Sequence, residues 1–212
     1  MNVAGNATYE RLNAFASVRA LTLAAVGPLS RAQLDFSPRP GRWSVGEIAD
    51  HLLMSEELYR ANFERLIALA RAGQPAYRRH SFADVNVAPL HLPDTLLSWM
   101  AVPFSLVNRV LPSRVIGLLT EFPILPTRNP DIATPRPGRP AAALRADLTE
   151  SLAKTRALIE SNADLDFESM VSEHPLTGRT NITQVLTFLA QHERRHQGQM
   201  EGVRTDPRFP RA

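Results

Sequence analysis

The sequence predicts an all-α fold in which four long helices are interrupted by a proline-rich insertion. Apolar residues recur with the 3.6-residue period of amphipathic helices in four stretches, whereas the alternation typical of strands is scarce. The length of 212 residues suits one domain with its own core. We therefore expect a single domain over residues 1–212, with the insertion at about 74–140 between helices two and three.

Helix one is expected from about Thr8 to Val26, where an apolar stripe runs along one face. The dipeptide Gly27-Pro28 then ends the helical pattern. Residues 37–43 contain too much proline and glycine to be helical, so a loop should separate helix one from helix two.

Helix two has a clear beginning and a clear end. Ser44 and Glu47 have the spacing of a capping box, in which hydroxyl and carboxylate satisfy free backbone N–H groups at the helix start. The pattern continues to about Arg71 and stops before Gly73. Such a helix is roughly 40 Å long at 1.5 Å per residue, a length typical of helix bundles.

The insertion between residues 74 and 140 has a weaker pattern. Recurring prolines leave room for only short helices, which we expect at Leu96–Trp99 and Val107–Leu119. The stretch Pro123–Pro140 is a proline-rich loop. Because the insertion is apolar, we expect it to cover a bundle end, a pocket mouth or a second subunit.

Helices three and four complete the predicted fold. Helix three is expected over residues 141–161, and a turn over residues 173–178 leads toward helix four. Helix four should begin near Asn181, which has Gln184 at the capping-box spacing, and it should end before Pro207.

Helix four carries an unusual core-facing seam. Its middle is polar, with His192, His196 and Gln199 where leucine or alanine is expected. A buried polar group without a partner costs about 1–3 kcal/mol, so three in succession need a common explanation. His192 and His196 leave the same face one turn apart, which suits two ligands of one metal ion. The whole seam is Ile182, Val185, Leu189, His192, His196, Gln199 and Val203.

His51 is the candidate third ligand, because it lies at the border of the buried stripe of helix two. A single histidine at such a position is more often a core or boundary residue than a ligand. The histidine pair on a second helix favours the ligand role for His51. Three neutral imidazoles that leave coordination positions open on the metal form a known catalytic arrangement. Glu47, Glu193 and Gln199 are the candidate hydrogen-bonding partners around these ligands.

A competing motif overlaps the same residues. His192–His196 reads H-E-x-x-H, the zincin pattern in which Glu193 would be the general base. Zincins take a third ligand further along the chain, and the extended pattern fails because Gln199 and Gly202 stand where glycine and histidine belong. The sequence therefore disfavours a peptidase, and Glu193 is expected to be a flank residue.

Composition excludes several other functions. Without cysteine the chain has no disulfide, no cysteine-ligated zinc and no cysteine nucleophile. The net charge of +3 comes without a basic stripe, so we expect no nucleic-acid partner. The beginning of the chain lacks the pattern of a secretory signal, and prolines and arginines break the apolar stretch 96–125. A cytoplasmic protein without a transmembrane segment is expected.

Three segments of the chain resemble the DinB-like superfamily. Trp43–Leu52 (WSVGEIADHL) resembles its W-S-x-x-E-x-x-x-H-L stretch, and His192–Met200 (HERRHQGQM) resembles its H-x-x-x-H-x-x-Q stretch. His174–Gly178 (HPLTG) is similar to the H-P-x-x-G turn common before the last helix. The resemblance implies a four-helix bundle and frequent homodimers. It also implies a metal ion, commonly zinc or nickel, bound by His51, His192 and His196.

The resemblance also implies candidate activities. Relatives include bacillithiol and mycothiol S-transferases and a thiol-dependent maleylpyruvate isomerase, besides many members without an assigned activity. We therefore expect a metal-dependent transferase that joins a low-molecular-weight thiol to a small electrophile. Two alternatives stay open at this point: a metal-dependent hydrolase, and a non-enzymatic ligand-binding or interaction protein with a structural metal.

Overall fold

The computed structural model describes residues 3–80, 134–174 and 178–211. This part of the chain is mostly helical. None of its helices combines the length and the hydropathy that a membrane span requires. Residues 81–133, which hold both short helices expected in the insertion, lie outside the described residues. The elements are the helices α1 (Val3–Val26), α2 (Arg31–Asp35), α3 (Val45–Arg71), α4 (Ala141–Glu160) and α5 (Ile182–Arg204), and the strands β1 (Tyr77–Arg79), β2 (Val171–His174) and β3 (Gly178–Asn181).

The predicted helices one to four correspond to α1, α3, α4 and α5, and their predicted ends are close to those observed. Both capping boxes are present, one from Ser44 and Glu47 on α3 and one from Asn181 and Gln184 on α5. α3 ends just before Gly73, whose φ of 67° is the left-handed conformation that terminates helices at low cost in glycine. Only the start of α1 differs clearly from the prediction: the helix begins at Val3, five residues before the predicted Thr8.

The four long helices pack against one another so that α1 and α3 each contact both α4 and α5. Their buried residues form two separate apolar clusters, one around Phe15 and Phe63 and one around Ile48 and Leu144. Between the clusters, every long helix contributes buried polar side chains. This polar layer consists of Arg19 and Thr22 on α1, His51, Ser55 and Glu56 on α3, Ser151 and Thr155 on α4, and Glu193 and His196 on α5.

Two features were not anticipated from the sequence. The short helix α2 follows α1, and a three-stranded sheet joins β1 to β2 in parallel and β2 to β3 in antiparallel pairing. β2 and β3 include the first two residues and the last residue of the stretch expected to be a turn. Strands of three or four residues are too short to show alternation, and Tyr77 pairs with Val171 far along the chain.

Asp50, the residue before His51, anchors the chain that returns from the insertion. Its buried carboxylate accepts hydrogen bonds from the backbone N–H of Arg136 at 2.7 Å, from the Arg136 side chain at 2.8 Å and from Arg139 at 2.6 Å. Arg139 also contacts Asp147 on α4. Burial alone would raise the pKa of Asp50, but the hydrogen bonds from Arg136 and Arg139 outweigh it and lower that pKa. Residues 134–140 are therefore tied to α3 beside the histidine that it carries.

We expect replacement of the N-cap residue in Ser44→Ala to lower the free energy of unfolding by about 1 kcal/mol, because the N–H of Glu47 loses its acceptor. Chemical denaturation measures the change. Ser17→Ala is the matched control, since Ser17 is exposed in the middle of α1 and alanine favours helix there. Equal stability losses in both variants would contradict a capping role for Ser44.

Candidate metal centre

Three imidazole rings converge at the edge of the polar layer. His51 comes from α3, and His192 and His196 come from successive turns of α5. The Nε2 atom of His192 lies 3.4 Å from Nε2 of His51 and 3.1 Å from Nε2 of His196. One ligand nitrogen from each ring lies within 4.8 Å of the other two. Two nitrogens bound to one tetrahedral zinc ion at 2.0–2.1 Å are ~3.3–3.4 Å apart, so the two distances from His192 fit a shared divalent ion.

The surroundings of His192 and His196 favour the neutral form of both rings. Burial, together with the neighbouring rings of His196 and His51, lowers the pKa of His192 well below its usual 6.5. Burial, together with the neighbouring ring of His51, lowers the pKa of His196 to about 3. A neutral imidazole has a lone pair to give to a metal ion, whereas a protonated one does not. At neutral pH His192 and His196 are therefore in the form that binds metals.

Gln199 determines which nitrogen of His196 carries the proton. The Oε1 atom of Gln199 lies 2.8 Å from Nδ1 of His196, and an amide oxygen only accepts hydrogen bonds. Nδ1 therefore donates, and the lone pair is on Nε2, which faces His192. Hydrogen bonds of this kind orient metal-binding histidines in many sites. The hydroxyl of Ser55 lies 3.5 Å from Nε2 of His51.

Aromatic rings flank the three histidines on two sides. The half-buried ring of Trp43 lies 4.8 Å from the ring of His51, between centroids, and Phe188 stacks on His192 at 5.5 Å. Tyr59 packs edge-on against Phe188 at 5.4 Å, and burial raises the pKa of Tyr59 to about 12, so its hydroxyl stays protonated. These rings place apolar surface on two flanks of the site.

The other two candidate partners have different contacts. The carboxylate of Glu47 accepts a hydrogen bond from the backbone N–H of Ser44 at 2.9 Å, as part of the cap of α3. Glu193 is 1% exposed and binds Arg19 rather than lying on a flank of α5. The expectation that Glu193 is a flank residue was wrong, because α5 packs against both α1 and α3. The buried stripe is consequently wider than one seam, and His192 lies at its edge.

Three arginines, Arg42, Arg194 and Arg195, lie next to the site residues in the sequence, and Arg195 affects the site electrostatically. It is half-buried, its pKa is lowered by desolvation, and its charge contributes to the lowered pKa values of His192 and His196. Arg194 and Arg42 are exposed.

Sequence reasoning missed Arg19 and Glu56, which are buried in the same layer as the histidines. A signal for both was present. Arg19 lies four residues after Phe15 on the apolar face of α1, and Glu56 lies four residues after Leu52 on the buried stripe of α3. A charged residue at a core position of each helix indicates a buried ion pair.

A family model for the DinB superfamily matches residues 14–200, which is most of the chain. The chain belongs to the DinB superfamily. No curated protein and no solved structure matches it. The matched residues of this DinB protein include all three histidines, Gln199 and Arg19. The suspected family is thereby confirmed.

The low pKa values predict how the stability of this DinB protein depends on pH when a chelator keeps it free of metal. In the unfolded chain His196 titrates near 6.5, whereas in the folded chain its pKa is about 3. Between these values the unfolded state binds more protons, so this contribution to stability is complete above pH 6.5 and is lost as the pH falls. Between pH 7 and pH 5 the loss from His196 should be on the order of 2 kcal/mol.

Urea denaturation at the two pH values, with His196→Gln as the reference, isolates this effect. Glutamine does not titrate, so the variant should lose less stability than the parent protein between pH 7 and pH 5. The same loss in both proteins would show that His196 does not titrate differently in the folded state.

Proposed function

We propose that this DinB protein is a four-helix bundle that holds one divalent metal ion through His51, His192 and His196. We further propose that it is a metal-dependent S-transferase that joins a low-molecular-weight thiol to a small electrophile. The single observation that carries the proposal is the convergence of three imidazole nitrogens at distances of 3.1 and 3.4 Å around one point. Imidazole ligands suit zinc and nickel, which are the metals we propose.

The number of ligands supports a catalytic role over a structural one. Structural zinc sites have four protein ligands, whereas catalytic sites have three and leave a position for water or substrate. Among the described residues, the group that could hold a metal has three members, one from α3 and two from α5. A small substrate would therefore have a coordination position available.

The residues around the site have roles that follow from their contacts. A bound divalent ion would supply positive charge that lowers the pKa of a nearby thiol, so that the thiolate nucleophile is available at neutral pH. Gln199 holds the proton of His196 at Nδ1 and leaves Nε2 as the metal-binding atom. Trp43 and Phe188 would limit the contact of water with the flanks of the histidine rings. The charge of Arg195 near the site suits a substrate that carries a carboxylate.

The metal content of the purified protein tests the ligand set. We expect about one zinc or nickel ion per chain by elemental analysis, and a loss of that ion in His51→Ala, because two imidazoles bind far more weakly than three. His80→Ala is the matched control, since His80 lies outside the three-histidine group and its variant should keep the metal. Full metal content in His51→Ala would contradict the proposed site.

The conjugation of small thiols to an electrophile tests the activity. We expect thiol consumption by the metal-loaded protein to fall to the uncatalysed rate when a chelator removes the metal, and to return when the metal is restored. A panel of thiols and esters separates the alternatives. Ester hydrolysis without thiol transfer would identify a hydrolase. A chelator that lowers the melting temperature of a protein without turnover of any substrate would favour a non-enzymatic role.

A further inference from the structure

Arg19 is a buried arginine whose guanidinium binds groups from the three other long helices. It is 1% exposed. Its Nε donates to both carboxylate oxygens of Glu193 on α5, at 2.8 and 3.0 Å, and its Nη2 donates to the same carboxylate at 2.9 Å. Its Nη1 donates to Glu56 on α3 at 2.9 Å and to the carbonyl oxygen of Leu148 on α4 at 2.8 Å. The second oxygen of Glu56 accepts a hydrogen bond from Thr155 at 2.7 Å.

The two carboxylates lie on the same helices as the three histidines. Glu193 directly follows His192 and precedes His196 by three residues on α5, and Glu56 follows His51 by five residues on α3. Five residues correspond to roughly 7.5 Å along a helix. Arg19 thus joins α3 to α5 within about two turns of the point where the histidines from those helices meet.

Stability alone does not account for this triad. Buried ion pairs cost much of their attraction in desolvation, and their replacement by apolar residues of similar size is often neutral or stabilising. The best-attested use of buried polar groups between helices is to fix the register in which the helices pack. Apolar contacts tolerate small shifts of one helix along another, whereas the planar guanidinium of an arginine binds carboxylates in one geometry.

We propose that Arg19, Glu56 and Glu193 are positioning residues that fix the register of α3 against α5 and so hold His51 opposite His192 and His196. This inference rests on the proposed metal site. The triad lies outside the three-histidine group that could hold the metal. It determines whether three imidazoles from two helices reach one point, and it adds a function for Glu193 that differs from that of a general base.

The test uses Co²⁺, whose visible absorption reports the number and geometry of its ligands. The triple variant Arg19→Met, Glu56→Leu, Glu193→Leu removes all three charges together. We expect its metal-free form to keep the helical content and melting temperature of the parent protein. Its dissociation constant for Co²⁺ should rise by about 10- to 100-fold, with altered absorption bands, as for other groups that orient metal ligands.

A second polar contact between α1 and α5 offers a matched control. Thr8 and Thr183 form a buried hydrogen bond at 2.8 Å, nine residues before His192 on α5. The double variant Thr8→Val, Thr183→Val removes this contact without changing the volume of the core much. It should bind Co²⁺ with the dissociation constant and the absorption spectrum of the parent protein.

Several outcomes would overturn the inference. Parent-like Co²⁺ binding in the triple variant would exclude a positioning role, and weaker binding with an unchanged spectrum would assign the effect to charge. If the triple variant does not fold, the single variant Arg19→Lys tests the positioning role instead. Lysine keeps the positive charge but cannot bind two carboxylates with the fixed geometry of a guanidinium. A folded Arg19→Lys protein with parent-like Co²⁺ binding contradicts the proposal. A parent protein that binds no Co²⁺ contradicts the metal site itself.

Discussion

The burial of one guanidinium constrains the whole arrangement of helices. Arg19 is removed from water, and its charge is tolerated only because two carboxylates and a backbone carbonyl replace the lost hydration. Those partners come from α3, α4 and α5. A change in the position of any of these helices relative to α1 would leave a buried charge without a partner. The four helices are therefore tied to one another at the middle of their length, where the two apolar clusters meet.

The polar layer and the apolar clusters contribute different properties. The clusters on either side bury most of the large side chains and supply most of the stability, but contacts between leucine, isoleucine and phenylalanine specify the register only loosely. The polar layer contributes directional contacts. His51 and His196 belong to that layer, and His192 lies at its edge. A site that needs three nitrogens within a few ångströms of one point is thus built where the helix positions are best defined.

Much of this organisation could be predicted from the sequence, because its causes are local. Capping residues and apolar periodicity give the helices, and the spacing of His192 and His196 places two imidazoles on one face. The contacts of Arg19 could not be predicted, since they depend on which helices become neighbours. The sheet was missed for a similar reason: the partner of Tyr77 is Val171, and strands this short carry no pattern of their own. Glu193 was misjudged because a single seam does not describe a helix with two packing partners.

Glu193 also shows why a motif can match while its chemistry does not apply. The spacing of the two histidines in H-E-x-x-H follows from one turn of any α-helix, so a bundle and a zincin share it without sharing a mechanism. The glutamate one residue after His192 points about 100° around the helix from that histidine. Here that direction leads into the core, where Arg19 holds both carboxylate oxygens. A carboxylate that is 1% exposed and bound in this way is not available to take a proton from a substrate. The proposed chemistry must therefore depend on the metal ion that the three imidazoles would hold and on the groups that a substrate brings to it.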